Sequence, residues 1–213
     1  MTPLIHLVRR SAVPGPLLLL LHGYGSNEED LFGLADAFDP AFTVVSARAP
    51  LSMGRGSYAW FSLAFSETGP VVLKPEEAEA SRQTVAGFIA WCTAEYGTDP
   101  KRVALVGFSQ GAILSAAVAL TRPELVRAAV LMSGRILPES AEESAPAGQQ
   151  PQYLVVHGVS DPVLPIAHGR ASHATLERLG IAHEYHEFGT GHQISDESLD
   201  LVTNWIDNAM KIR

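Results

Sequence analysis

The pentapeptide Gly107-Phe108-Ser109-Gln110-Gly111 sets a serine between two glycines. It does so at the junction of an apolar run, Val103 to Phe108, and a run with helical character, Gln110 to Thr121. G-x-S-x-G in a strand–turn–helix setting is the pattern of a nucleophilic serine held on a sharp turn, where larger residues at the glycine positions would collide with the adjoining strand and helix. A serine hydroxyl is a weak nucleophile near neutral pH. It requires a histidine base, and the histidine requires a carboxylate to fix its tautomer and stabilise its imidazolium.

In a sheet carrying such a turn, the acid and then the histidine follow the serine, each on a loop beyond the carboxyl end of a strand. Asp161, in HGVSDPVLP after the apolar run Tyr153 to His157, meets that condition, whereas Asp196 falls after the candidate histidine. His192, in GTGHQI after the last strand-like run, is the expected base. His22 and His157 precede glycines at strand ends and read as loop-orienting groups; the other histidines read as surface or packing residues.

Attack on a carbonyl also needs backbone N–H donors for the developing oxyanion. The amide of Gln110 and that of Tyr24, in the His22-Gly23-Tyr24-Gly25 loop, are the expected pair. Trp60, Phe61 and Leu164 are candidate substrate contacts. Cys92, on the apolar stripe of a helix, reads as an inert core residue.

Apolar runs that read as strands (Pro16 to His22, Phe42 to Ala47, Val103 to Phe108, Ala128 to Ser133, Tyr153 to His157, His183 to Phe188) alternate with helical patterns, as in an α/β fold with a mostly parallel sheet. Leu4 to Val8 can add an edge strand. LLLLL, VALVGF and YLVV are nearly continuous apolar runs, expected at the sheet centre. Helices are predicted at Pro75 to Tyr96, stopped by Gly97; at Gln110 to Thr121, apolar all round; and at Asp196 to Met210, capped by Ser195. Leu51 to Lys74 has no clear assignment and is the one stretch able to cover part of the site, while Pro138 to Pro151 looks like solvated surface.

The chain has 213 residues, 46% of them hydrophobic, enough for a sizeable core and read here as a single domain, 1–213. Its net charge of −8 leaves no basic footprint for nucleic acid. The longest apolar run is too short to span a bilayer, so no membrane insertion is expected. One cysteine allows no intrachain disulfide and no cysteine-based zinc or iron–sulfur centre, and no metal site is expected. Arg9 and Arg10 before an apolar stretch have the look of an export signal, but no A-x-A site directly follows that stretch and cleavage there would remove the Tyr24 loop; a cytoplasmic protein is expected.

With LHGYG, GFSQGA, DPKRVALV, HGVSDPVLP and GTGHQI in order, the chain resembles the phospholipase/carboxylesterase family of small α/β hydrolases, which includes bacterial carboxylesterases and acyl-protein thioesterases. The resemblance runs from about Leu17 to the C-terminus. It implies an α/β-hydrolase fold without a large cap domain, a triad of Ser109, Asp161 and His192, oxyanion amides at Tyr24 and Gln110, no cofactor, and a homodimer as a candidate assembly. Where many members have HGLGD, this chain has HGYGSNEEDL, which sets an aromatic ring beside the acyl pocket. Ser109 separates the chain from the similar dienelactone hydrolases, whose nucleophile is cysteine. The expected activity is hydrolysis of short- to medium-chain carboxylic esters. A thioesterase or lysophospholipase with the same triad, or a non-catalytic small-molecule binder, are the alternatives.

Overall fold

The computed structural model describes residues 3–64 and 72–211. Strands β1 (His6–Arg9), β2 (Leu17–Leu21) and β3 (Thr43–Ala47) come first, with the short helix α1 (Glu28–Phe32) between the last two. Two small antiparallel pairs follow: β4 (Leu51–Gly54) with β5 (Ser57–Ala59), and β6 (Leu63–Ala64) with β7 (Val72–Leu73). The remaining elements are α2 (Pro75–Tyr96), β8 (Val103–Phe108), α3 (Gln110–Thr121), β9 (Ala128–Met132), α4 (Pro138–Glu142), β10 (Gln152–Gly158), α5 (Ala167–Arg178), β11 (His183–Phe188) and α6 (Asp196–Met210).

Seven strands form the main sheet in the order β1-β3-β2-β8-β9-β10-β11, parallel throughout except for β1 on β3. The chain builds to one side of β2 with β3 and then crosses to its other side with β8. That reversal opens a crevice at the carboxyl ends of β2 and β8, where open α/β sheets carry their sites.

Period-two alternation divides the core between the two faces. Leu17, Leu19 and Leu21 pack with Val85, Ile89 and Cys92 of α2 and with Leu114 and Val118 of α3. Leu18 and Leu20 pack with Leu31 of α1 and with Val202, Ile206 and Met210 of α6. All five leucines of β2 are buried, each contributing roughly 2 kcal/mol of transfer free energy. The Leu17-to-Leu21 run therefore anchors both layers.

Several expectations are corrected. YLVV lies in β10, next to the sheet edge rather than at its centre, while β9 takes an inner place. Pro138 to Pro151 is not simply solvated: it begins with α4, buries Ser140 and Ala141, and is tied down where the Gln150 amide donates to the carbonyls of Leu120 and Ala145. The Leu51 to Lys74 stretch holds β4 to β7; its part from 65 to 71 lies outside the described residues.

Candidate active site

Ser109 sits between β8 and α3 with φ +53° and ψ −115°, a left-handed conformation costly for a residue with a Cβ. The turn is tight enough to require its glycines. A Cβ on Gly107 would lie 2.3 Å from the Gly111 carbonyl oxygen, and one on Gly111 only 1.9 Å from that of Leu21. The turn is held further where the Ser109 N–H donates to Met132 O of β9 at 2.9 Å.

Asp161, buried beyond β10, has both carboxylate oxygens engaged. Oδ1 accepts from the amides of Val163 and Leu164, each at 2.8 Å, and Oδ2 accepts from His192 Nδ1 at 2.7 Å. Burial alone would raise its pKa, but the hydrogen bonds from His192, Leu164 and Val163 outweigh that and hold the carboxyl below its ordinary value. With the His192 Nδ1–H engaged as the donor to Asp161, Nε2 is left as the unprotonated nitrogen of the neutral ring. The His192 ring packs at a tilt against Phe108, centroids 4.9 Å apart.

Ser109 and His192 line one cavity of about 560 Å³ with Tyr24, Phe61, Leu63, Gln110 and Leu164. Its wall also takes in Arg135 and His168. Gln110 opens α3, so its N–H has no intrahelical acceptor. Its side chain bridges to the neighbouring wall: the Trp60 N–H donates to Oε1 at 2.8 Å, and Nε2 donates to Phe61 O at 2.7 Å.

Phe61 and Leu164 thus face the cavity, but Trp60 does not. Its ring is fully buried and its Nε1–H donates to His22 O at 2.9 Å, so its role as a substrate contact is replaced by a structural one. His22 is itself buried, with Nδ1 donating to Gly23 O at 2.7 Å and Nε2 accepting from Ala49 N at 3.1 Å. His157 Nε2 donates to Leu164 O at 2.7 Å and lies 3.5 Å from Asp161 Oδ2. Both therefore orient loops.

Arg135 and His168 are the polar cavity residues that sequence reasoning passed over, beside the apolar Leu63, Ile113 and Val163. Arg135 lies just beyond the carboxyl end of β9, the position at which α/β sheets place site residues, and that rule is the signal that could have found it. Among the described residues no three metal-ligating side chains converge. None of the described helices is long and apolar enough to cross a membrane.

The family model for phospholipase/carboxylesterase matches residues 7–210. The chain belongs to the phospholipase/carboxylesterase family, whose members are hydrolases of ester bonds. Among solved structures it is similar to esterase PE8, at 30% identity and a TM-score of 0.87, covering 98% of this chain and 100% of that one. A probable carboxylesterase of Oryza sativa subsp. japonica is 26% identical over 91% of this chain and 77% of its own length. Esterase YpfH of Escherichia coli (strain K12) is 29% identical over 77% of this chain and 69% of its own. The central sheet and flanking helices are those of an α/β-hydrolase fold.

Proposed function

We propose that the protein is a serine carboxylesterase acting on short- to medium-chain esters through an acyl-enzyme on Ser109. Ser109 attacks the ester carbonyl as His192 Nε2 takes its proton, and the amides of Tyr24 and Gln110 receive the oxyanion. His192 then protonates the leaving alcohol. Water, deprotonated by the same nitrogen, attacks the acyl-enzyme, releasing the acid and restoring Ser109. Asp161 remains ionised and holds the imidazole in its working tautomer.

The observation that carries this reading is the 2.7 Å hydrogen bond from His192 Nδ1 to a carboxylate whose other oxygen is pinned by two amides. The size of the cavity and its apolar lining of Phe61, Leu63, Ile113 and Leu164 support modest acyl chains. We take residues 1–213 as one such domain, working in the cytoplasm on a small-molecule ester and pairing as a homodimer. The free, buried Cys92 fits a reducing compartment, and sedimentation as a monomer would overturn the pairing.

The test is initial-rate hydrolysis of 4-nitrophenyl esters from two to sixteen acyl carbons by wild type and Ser109→Ala. Turnover that peaks at short to medium chains and drops at least a thousandfold in the variant is the expected result. A maximum on long chains or on thioesters would move the assignment to a lysophospholipase or thioesterase. No Ser109-dependent turnover on any of them would leave a binding module.

A further inference from the structure

The cavity wall beside Ser109 carries a cation that the hydrolytic mechanism above does not use. Strand β9 ends at Met132; Ser133 turns through φ +48°, and Gly134 then packs onto the serine turn. An ideal Cβ on Gly134 would stand 2.5 Å from the Ala112 side chain and 3.2 Å from Ser109 O. Arg135, the next residue, is thereby rooted against the nucleophile's own backbone and lines the same cavity as Ser109 and His192.

Its electrostatic situation is that of half an ion pair. Nε is buried with no hydrogen-bond partner, and among the described residues no carboxylate forms a salt bridge with Arg135. Among the described residues the cavity lining contains no aspartate or glutamate: it consists of aromatic and aliphatic side chains, Ser109, Gln110, His168, His192 and Arg135. His168 is held below its ordinary pKa, by burial first and by the charge of Arg135 second, which favours a neutral ring beside the guanidinium. Among the described residues Arg135 is therefore the one permanent charge on the wall, in a protein whose net charge of −8 otherwise disfavours anions.

We propose that Arg135 anchors a free carboxylate carried by the ester substrate, so that anionic esters, such as half-esters of short dicarboxylic acids, are the preferred class. This rests on the esterase reading and narrows it. A guanidinium offers a planar fork that matches a carboxylate, and its attraction strengthens where apolar walls exclude water. Arg135 is half-buried, and its buried Nε is left without an acceptor, a partner that a substrate carboxylate supplies. Fixed at that end, the ester carbonyl is confined near Ser109, which converts binding energy into orientation.

The test compares kcat/KM for ester pairs that differ only in carboxylate against carboxamide. One arm carries the charge on the acyl side, 4-nitrophenyl hydrogen glutarate against the glutaramate ester. The other carries it on the alcohol side, 4-carboxyphenyl butyrate against 4-carbamoylphenyl butyrate. Wild type should favour the carboxylate in at least one arm by about tenfold or more, and the preference should shrink as salt is raised. Arg135→Gln should bring the ratio near one, with Arg135→Lys in between, because an ammonium keeps the charge and loses the fork. Ratios near one in both arms of wild type, or a preference that survives in Arg135→Gln, would overturn the proposal.

Should Arg135→Gln not fold, Arg135→Lys decides: a preference cut at least threefold supports the anchor, and an unchanged one removes it. If none of the esters is turned over with dependence on Ser109, the esterase reading is what fails. Calorimetric titration with glutarate then judges the anion site alone, tighter binding to wild type than to the Arg135 variant upholding it and equal or absent binding ending it.

Discussion

Asp161 Oδ1 faces two amide donors and Oδ2 faces the His192 ring, an asymmetry that gives a sharp expectation for Asp161→Asn. The asparagine oxygen would stay with the Val163 and Leu164 amides and turn its NH₂ toward His192 Nδ1. That nitrogen must then accept, so the ring proton moves to Nε2, the atom that accepts from Ser109 in the proposed mechanism. The fold should be kept and kcat should fall on the order of 10⁴-fold; unchanged circular dichroism with a collapsed ester-hydrolysis rate checks both halves. That Asp161 meets His192, and that His192 shares a cavity with Ser109, was legible in the sequence because each residue combines a chemical type with a place after a strand. Arg135 and His168 were not, since a lone arginine and one histidine of eight carry no pattern until a cavity collects them. Trp60 was misread because an aromatic residue beside a site serves equally as wall or as core, and only its hydrogen bond to His22 O decides.

The elements that hold these residues differ in how openly the sequence announces them. β2, β8, α2, α3 and α6 declare themselves through apolar runs, Pro75 at a helix start and the reciprocal Ser195–Ser198 cap. α5 does not: of AHGRASHATLER only Gly169, Ser172 and Leu176 are buried, so its inward stripe is too weak to register. α1 is a single short turn, capped where the Glu29 N–H donates to Asn27 Oδ1. The β8–α3 junction is the least tolerant part of the frame. Gly111→Ala would drive a methyl into the Leu21 carbonyl of the neighbouring strand, with no flexible atom able to yield. We expect loss of more than about 4 kcal/mol and insoluble expression, checked by soluble yield and urea unfolding of whatever is recovered. Gln110→Ala is a milder lesion in the same junction. It strands the Trp60 N–H and the Phe61 carbonyl without their partners, at about 1–3 kcal/mol. It also frees the wall containing Phe61, so KM should rise together with the drop in urea midpoint.

Across the molecule, groups that are buried uncharged set the pH range over which the fold is most stable. Burial holds His22 below its ordinary value of 6.5, against the opposing hydrogen bond to Gly23 and the charges of Asp30 and Glu28. The unfolded chain therefore takes up a proton near 6.5 that the native state refuses, and stability falls as pH drops below that value. The depressed carboxyls, Asp161 and Glu28 among them, add their own loss only further down, as pH falls from their ordinary values toward their lower native ones. On the alkaline side, desolvation pushes the Cys92 thiol from 9.0 up to about 12. The unfolded state then ionises first, and stability declines as pH rises from about 9 toward 12. Urea midpoints should accordingly form a plateau between about 6.5 and 9, each group bending its limb by at most about 1.4 kcal/mol per pH unit. Cys92→Ala should flatten the alkaline limb and leave the acid limb alone, because a methyl keeps the apolar contact with α3 and the sheet while removing the titrating proton. A limb unchanged in slope after that substitution would mean that the tyrosines raised by burial, Tyr96, Tyr153 and Tyr185, carry the alkaline loss instead.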